Sequence, residues 1–178
     1  TIGENAFNQC TSLKEISFGK STSLKTIGKN SFRDCTSLTH IEIPCSLESI
    51  GEGAFSRCFK CEQVIFEDHS NLKRIDGYAF AKCEKMTEIK IPSSVKSIGK
   101  YAFTGCVILG QISIENPSSL ESLGDFAFNL CKSLKKITIP SSVTFFGYEI
   151  FDGVESIEIS GDIKFIPESF FSEIDSLK

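Results

Sequence analysis

A nine-residue phrase returns at nearly fixed intervals along the chain, and this recurrence constrains the fold more than any other feature. "IGKNSFRDC" at 27–35 returns as "IGEGAFSRC" at 50–58 and as "IGKYAFTGC" at 98–106. The residue that opens the phrase recurs at spacings of 25, 23, 25, 23, 25, 23 and 20. Such periods are typical of a solenoid, in which each coil buries its apolar side chains only against its neighbours. The opening residues are Ile2, Ile27, Ile50, Ile75, Ile98, Leu123, Phe146 and Ile166.

The two repeat lengths alternate because one connection is longer in every second coil. The long connections read "FGKSTSL", "FEDHSNL" and "IENPSSL", and the short ones read "IPCSL" or "IPSSV". We therefore expect one corner of the solenoid to be longer in alternate coils.

Each repeat contains three kinds of segment. The first follows Leu-x-x-Ile-x-Ile, as in 38–43 and 134–139, and its alternation of apolar and polar residues predicts a strand. The second follows Leu-x-x-Ile, as in 47–50, and predicts a short extended piece that ends at Gly51 in a positive φ or a tight corner. The third carries Ala-Phe-x-x-Cys, as in 54–58, and predicts one helical turn. The sequence thus predicts an α/β repeat solenoid of three-sided coils, with the strands in one continuous, curved parallel sheet.

Read in order, the segments give Leu-x-x-Ile-x-Ile-Pro-x-x-Val-x-x-Ile-Gly-x-x-Ala-Phe-x-x-Cys, and in this pattern the chain closely resembles the leucine-rich repeats of the BspA-like type. More than ten columns recur in register across at least six coils. The resemblance implies a leucine-rich-repeat right-handed superhelix, with the parallel sheet on the concave side and short extended or helical turns outside. It also implies a surface protein of anaerobic bacteria or parasitic protists whose repeats serve binding or adhesion.

The repeats predict a single domain over residues 1–178, with about seven to eight coils. Neither end carries the polar cap that a solenoid needs, so we expect a fragment of a longer array. The seventh coil is three residues short and the eighth has Pro167 where other coils carry Gly, so we expect the stack to become less regular there.

Composition argues against two classes of partner. With 19 Lys and Arg against 23 Asp and Glu, the chain lacks the basic surface of a nucleic-acid binder. No stretch approaches the 18 or so apolar residues of a membrane-spanning helix, and this segment begins without the features of a signal peptide. A cell-surface or extracellular location therefore comes from the resemblance alone.

Six of the eight cysteines follow the repeat and predict one interior column of buried thiols that act as small apolar side chains. The Cα atoms of neighbouring cysteines in this column would lie about 5 Å apart, so distance alone does not exclude disulfides. Cys58-x-x-Cys61 resembles half of a zinc site but has no second ligand pair, so we expect no metal. Cys45 lies in the short connection "IPCSL", outside the interior column, and is the one thiol expected to be exposed. The six are Cys10, Cys35, Cys58, Cys83, Cys106 and Cys131.

The sequence offers little for catalysis. His40 and His69 fall at different repeat positions, and neither is spaced from a Ser or Cys as in a nucleophile and base pair. The string Asp68-His69-Ser70 lies in a long connection and is interpreted as a solvated loop. The glycines recur singly and form no phosphate-binding loop. We expect neither enzymatic activity nor a cofactor.

The outward side chains of the strands are the predicted partner-binding surface, because solenoids bind through such extended faces. This face carries mixed charges and no aromatic, Met or Arg anchor, so a plain hydrophilic face is an open alternative. The sequence predicts a non-enzymatic module that binds a host-surface or matrix protein or a glycan. The alternative is a structural spacer or an intracellular scaffold whose free thiols suit a reducing compartment. The predicted contact residues are His40, Glu42, Gln63, Ile65, Glu88, Lys90, Gln111, Ser113, Lys136 and Thr138.

Four phenylalanines lie outside the interior columns, and some are expected to act as staples between coils. They are Phe59, Phe126, Phe145 and Phe165.

Overall fold

The computed structural model describes residues 1–19, 22–162 and 166, which form a parallel β-solenoid of about six turns. Each coil contributes one strand of a long series and one two-residue strand of a short series. Within the described part of the chain there is no helix, and so none that could cross a membrane. The predicted repeat solenoid is therefore right in its parallel strands and wrong in its helical component.

The strands alternate between the two series along the chain. The long series is β1 Glu15–Ile16, β3 His40–Ile43, β5 Gln63–Phe66, β7 Glu88–Ile91, β9 Gln111–Ile114, β11 Lys136–Pro140 and β13 Ser156–Ser160. The short series is β2 Thr26–Ile27, β4 Ser49–Ile50, β6 Arg74–Ile75, β8 Ser97–Ile98, β10 Ser122–Leu123 and β12 Phe145–Phe146.

The continuous sheet is built from the short strands and not, as predicted, from the long ones. All six short strands pair in one sheet, in the order β12-β10-β8-β6-β4-β2. The long strands divide into three groups, β1-β3-β5, β7-β9 and β11-β13. Both breaks follow a strand that leads into a long connection, 66–72 after β5 and 114–120 after β9. Not every long connection interrupts the sheet, because β1 also leads into one, 18–24, and still pairs with β3.

The segment predicted as a helical turn is instead a series of tight turns bonded to the next coil. The Phe32 N–H donates to the Ala54 carbonyl at 2.8 Å, and the Phe55 N–H donates to the next coil in the same way at 2.8 Å. The N–H groups on either side of Phe32, those of Ser31 and Arg33, instead close turns within their own coil. Asn30 and Asp34, four residues apart, adopt the left-handed conformation with φ of 51° and 58°. A helix cannot form because alternate N–H groups leave the coil and these residues have the opposite hand.

A column of phenylalanines fills the interior behind these turns. Phe55, Phe80, Phe103 and Phe128 are almost completely buried. Neighbouring rings stack with centroids 5.3–5.4 Å apart and nearly parallel planes. Each ring is therefore covered on both faces by the coils before and after it, which makes packing cooperative along the stack.

Five of the six column cysteines are buried beside this stack, which confirms the interior column for those positions. Each thiol donates to the carbonyl of a phenylalanine in the preceding coil. Cys58 Sγ, for example, lies 3.4 Å from the Phe32 oxygen, and Cys106 Sγ lies 3.3 Å from the Phe80 oxygen. All eight cysteines are free thiols in the structure. Cysteine suits the column because it is small, apolar and still a weak donor.

The expectation that Cys45 is the one exposed thiol is wrong. Cys45 is half-buried, whereas the column member Cys10 is exposed. Burial raises the pKa of Cys35 to about 11 and that of Cys131 to about 12. The buried thiols are therefore protonated at neutral pH and are poor nucleophiles.

We expect iodoacetamide at pH 8 to modify Cys10 fastest, Cys45 more slowly, and the buried cysteines only after unfolding. The reason is that alkylation requires both access and a thiolate. Peptide mass spectrometry of native and urea-unfolded samples measures this directly. Rapid native labelling of Cys83 or Cys106 would contradict the buried column.

Candidate binding surface

The outward side chains of the long strands form a continuous patterned surface, which we call the long-strand face. Parallel pairing aligns His40 with Gln63 and Glu42 with Ile65, and it aligns Lys90 with Ser113. Nine of the ten predicted contact residues are exposed, and Thr138 is half-buried. The first row across the strands is His40, Gln63, Glu88, Gln111 and Lys136, and the second is Glu42, Ile65, Lys90, Ser113 and Thr138. The structure places these side chains on one face, and their role in binding stays a prediction.

A cavity of about 320 Å³ opens on this face at the break between β5 and β7. Its walls come from β5, β7, β9 and the long connection that follows β5. The exposed Ile65 and the half-buried Phe66 give it apolar surface, and the amides of Gln63 and Gln111 give it hydrogen-bonding groups. The corner residues that complete it are not among the predicted contact residues, although the alternating connection length was the available signal. These are Glu67, Asp68, His69, Ser70 and Glu115.

Glu67 bonds the long connection after β5 to the coil before it, and Glu115 does the same for the long connection after β9. The Glu67 carboxylate accepts the backbone N–H of Cys45 at 2.9 Å, and the Glu115 carboxylate accepts that of Ser93 at 3.0 Å. Glu115 also lies 2.7 Å from the Lys90 ammonium. The hydrogen bonds that Lys90 and Ser93 donate to Glu115 lower the pKa of its carboxyl group. The bond between Lys90 and Glu115 also raises the pKa of Lys90. The corner is therefore held by a carboxylate that must be ionised to make its full set of contacts.

Replacing Glu115 with Gln is expected to reduce stability at neutral pH but not in acid. A carboxyl group with a lowered pKa stabilises the folded state above its unfolded pKa, and this contribution disappears as the pH falls through the folded value. The loss at pH 7 should stay within about 1 kcal/mol because the pair is partly exposed. Urea unfolding of both proteins between pH 7 and pH 3 checks this. A difference that grows in acid would contradict the assignment, and Glu88→Gln, which removes an unpaired carboxylate, is the control.

The other candidate sites lack the groupings that their chemistry requires. Among residues 1–19, 22–162 and 166, no three His, Cys, Asp or Glu side chains are grouped to hold a metal. The Ser70 hydroxyl accepts the N–H of Leu72 at 3.3 Å and so belongs to a turn. His69 is exposed and left-handed, with φ of 57°. These contacts support the loop interpretation of Asp68-His69-Ser70.

One of the four outer phenylalanines acts as a staple, as predicted. Phe126 stacks on Tyr101 at 4.8 Å, and Tyr101 stacks on Tyr78 at 4.9 Å, so three coils are joined on the outside. Phe145, by contrast, is 58% exposed. The Arg57 guanidinium lies 5.2 Å from the ring centre of the half-buried Phe59. Phe165 lies outside the described residues.

Comparison with known families identifies the repeat type. The description "BspA type Leucine rich repeat region" matches residues 1–116 and 110–178, with six copies. The chain belongs to this family. No curated protein matches the chain. The repeat type inferred from the Leu-x-x-Ile-x-Ile and Ala-Phe-x-x-Cys segments is thereby confirmed.

Solved structures of bacterial leucine-rich repeat proteins share the fold. The pneumococcal vaccine antigen PcpA is similar over 89% of this chain and 43% of its own, with 23% identity and a TM-score of 0.71. A leucine-rich repeat protein of Bacteroides ovatus is similar over 99% of this chain and 63% of its own, with 24% identity and a TM-score of 0.59. A leucine-rich cell surface protein of Faecalibacterium prausnitzii gives the same coverage, 25% identity and a TM-score of 0.51. The chain therefore spans less than two thirds of each of these proteins.

Proposed function

We propose that this chain is a non-enzymatic binding module of a cell-surface protein, and that it recognises a protein or glycan through the long-strand face. The observation that carries the proposal is the cavity at the sheet break, which turns a flat row of side chains into a recessed site. Ligand sites are usually concave and combine apolar surface with a few polar groups, and Ile65 beside Gln63 and Gln111 fits that description. A surface location is supported by family membership and by the F. prausnitzii relative, which is described as a cell surface protein.

The remainder of the face supports binding by many weak contacts. Exposed amide, hydroxyl, carboxylate and ammonium groups lie in rows, and such rows are repeated along a solenoid. Weak contacts of this kind gain strength when several coils engage one ligand. Exposed ion pairs such as Lys136 with Glu158, at 2.9 Å, contribute little to stability and leave these side chains available for a partner.

A binding screen against extracellular-matrix proteins, host-cell surfaces and a glycan array tests the proposal. A variant with Glu88, Lys90 and Lys136 replaced by Ala removes contacts on the long-strand face. The control replaces Lys73, Lys96 and Glu121, which are exposed beside the short strands and carry the same set of charges.

The expected result is a ligand that the face variant loses and the control variant retains. Equal loss in both variants, or binding that neither affects, would place recognition elsewhere. Absence of any ligand for the folded chain would overturn the proposal and favour a structural spacer.

A further inference from the structure

The charges around the cavity are not balanced. Its lining contains four carboxylates and one ammonium, a formal charge of −3 with His69 neutral. Two carboxylates are already engaged, Glu67 by a backbone N–H and Glu115 by Lys90 and Ser93. Asp68 and Glu88 make no ion pair or side-chain hydrogen bond with any described residue, although Asp68 also interacts electrostatically with Lys90. The cavity therefore presents negative charge that its own lysine does not neutralise.

The excess of unpaired carboxylates over lysines also extends along the long-strand face. At the β11 and β13 end, the lysines are paired, Lys135 with Glu155 at 3.1 Å and Lys136 with Glu158 at 2.9 Å. At the β1 to β7 end, carboxylates that form no ion pair with a described residue outnumber the unpaired, exposed lysines Lys14, Lys60 and Lys85. These carboxylates are Glu15, Glu42, Glu62, Asp68 and Glu88.

The unpaired carboxylates lie at different places along the cavity. Glu88 lies in the first row beside Gln63, whereas Asp68 follows the far end of β5. The exposed Ile65 lies between these two ends and is 47% accessible. The cavity thus has a carboxylate toward each end, and Ile65 lies in its middle beside Lys90, whose ammonium is paired with Glu115.

We propose that this cavity receives an extended basic segment of a protein ligand, in which an apolar side chain is flanked by lysine or arginine two residues away on either side. In an extended chain, residues i, i+2 and i+4 point to one side and span about 13 Å, so the two cationic side chains can reach toward opposite ends of the cavity. The central side chain covers Ile65, and the cationic ones approach Asp68 and Glu88. The proposal rests on the function proposed above and names its ligand chemistry.

Peptide binding tests this spacing directly. The probe is a fluorescent peptide containing Lys-Ser-Leu-Ser-Lys, and its control is an isomer, Lys-Leu-Ser-Ser-Lys, with the same composition and the leucine on the opposite side. We expect the first peptide to bind about fivefold tighter in fluorescence polarisation, because the isomer cannot place its leucine on Ile65. Binding should weaken with added salt because the charged ends are exposed.

Two charge-matched variants locate the site. Asp68→Asn with Glu88→Gln should weaken the peptide about tenfold, the sum of two exposed ion pairs. Glu155→Gln with Glu158→Gln removes the same charge from the same face and should change affinity less than about twofold. Equal effects of the two variants, equal affinity of the two peptides, or no peptide binding would each overturn the proposal. If the ligand screen succeeds on the long-strand face and the peptides fail, the ligand chemistry is wrong and the proposed function stands.

Discussion

Replacing Phe103 with Ala is expected to destabilise the chain by about 3–5 kcal/mol. Phe103 is completely buried, and its ring stacks on Phe80 at 5.4 Å and on Phe128 at 5.3 Å. Removal of the ring leaves a cavity between two coils that are held apart by their own backbone hydrogen bonds, so the site cannot collapse. Urea unfolding followed by circular dichroism gives the change in the free energy of unfolding.

Phe145→Ala is the matched control because it deletes the same ring from an exposed position. Phe145 is 58% accessible, so its loss should cost less than about 1 kcal/mol. Equal losses in the two variants would show that the assignment of interior and exterior columns is wrong.

Replacing Gly99 with Ala should cost about 3 kcal/mol, the upper part of the range for overpacking. A Cβ atom at this position would lie 2.6 Å from the Gly77 nitrogen and 2.7 Å from the Asp76 carbonyl carbon. Both obstructing atoms belong to the backbone of the preceding coil, so no rotamer change relieves the contact. Adjacent coils would have to separate at the corner.

Gly110→Ala is the corresponding control. There, a Cβ atom would meet only the Ser133 and Ile108 carbonyl oxygens, at the ordinary distances of 3.7 and 3.9 Å. Its effect should lie within about 1 kcal/mol of zero and can be stabilising, because alanine restricts the unfolded chain. Thermal or urea unfolding of the two variants provides the comparison, and a tolerated Gly99→Ala would refute close packing of the corners.

The repeating parts of the fold could be predicted because each coil meets the same packing requirement. The interior column of Phe103 and Cys106 and the strand ending at Ile91 follow from apolar spacing alone. Gly99 was correctly marked as a corner, but the sequence left its reason open. The structure assigns it to the close approach of two coils and not to a positive φ.

The helical turn was predicted wrongly because local spacing does not reveal where a backbone N–H group finds its acceptor. Phe55 and Cys58 lie on one side of their segment, as in a helix, yet the Phe55 N–H donates to the next coil. Bulky residues also occupy left-handed positions, such as Tyr101 with φ of 57°, which sequence preferences alone would disfavour. Bonds between coils therefore override local propensity in this segment.

The candidate site was predicted in part. The outward residues of the strands follow from period-two alternation, so Gln63, Ile65 and Lys90 were found from the sequence. The break between β5 and β7 is a relation between two neighbouring coils, and no single repeat encodes it. The contributions of Asp68 and Glu115 to the cavity could therefore not be read from the strand pattern.

Hydrogen exchange of the chain with and without a ligand from the screen distinguishes recognition on the long-strand face from recognition on the turn side of the coils. Recognition through the long-strand face predicts slower exchange in residues 62–70 and 87–93, while the turn segments 77–82 and 100–105 keep their free rates. Protection confined to the turn segments, or spread equally over both sides of the coils, would contradict the account.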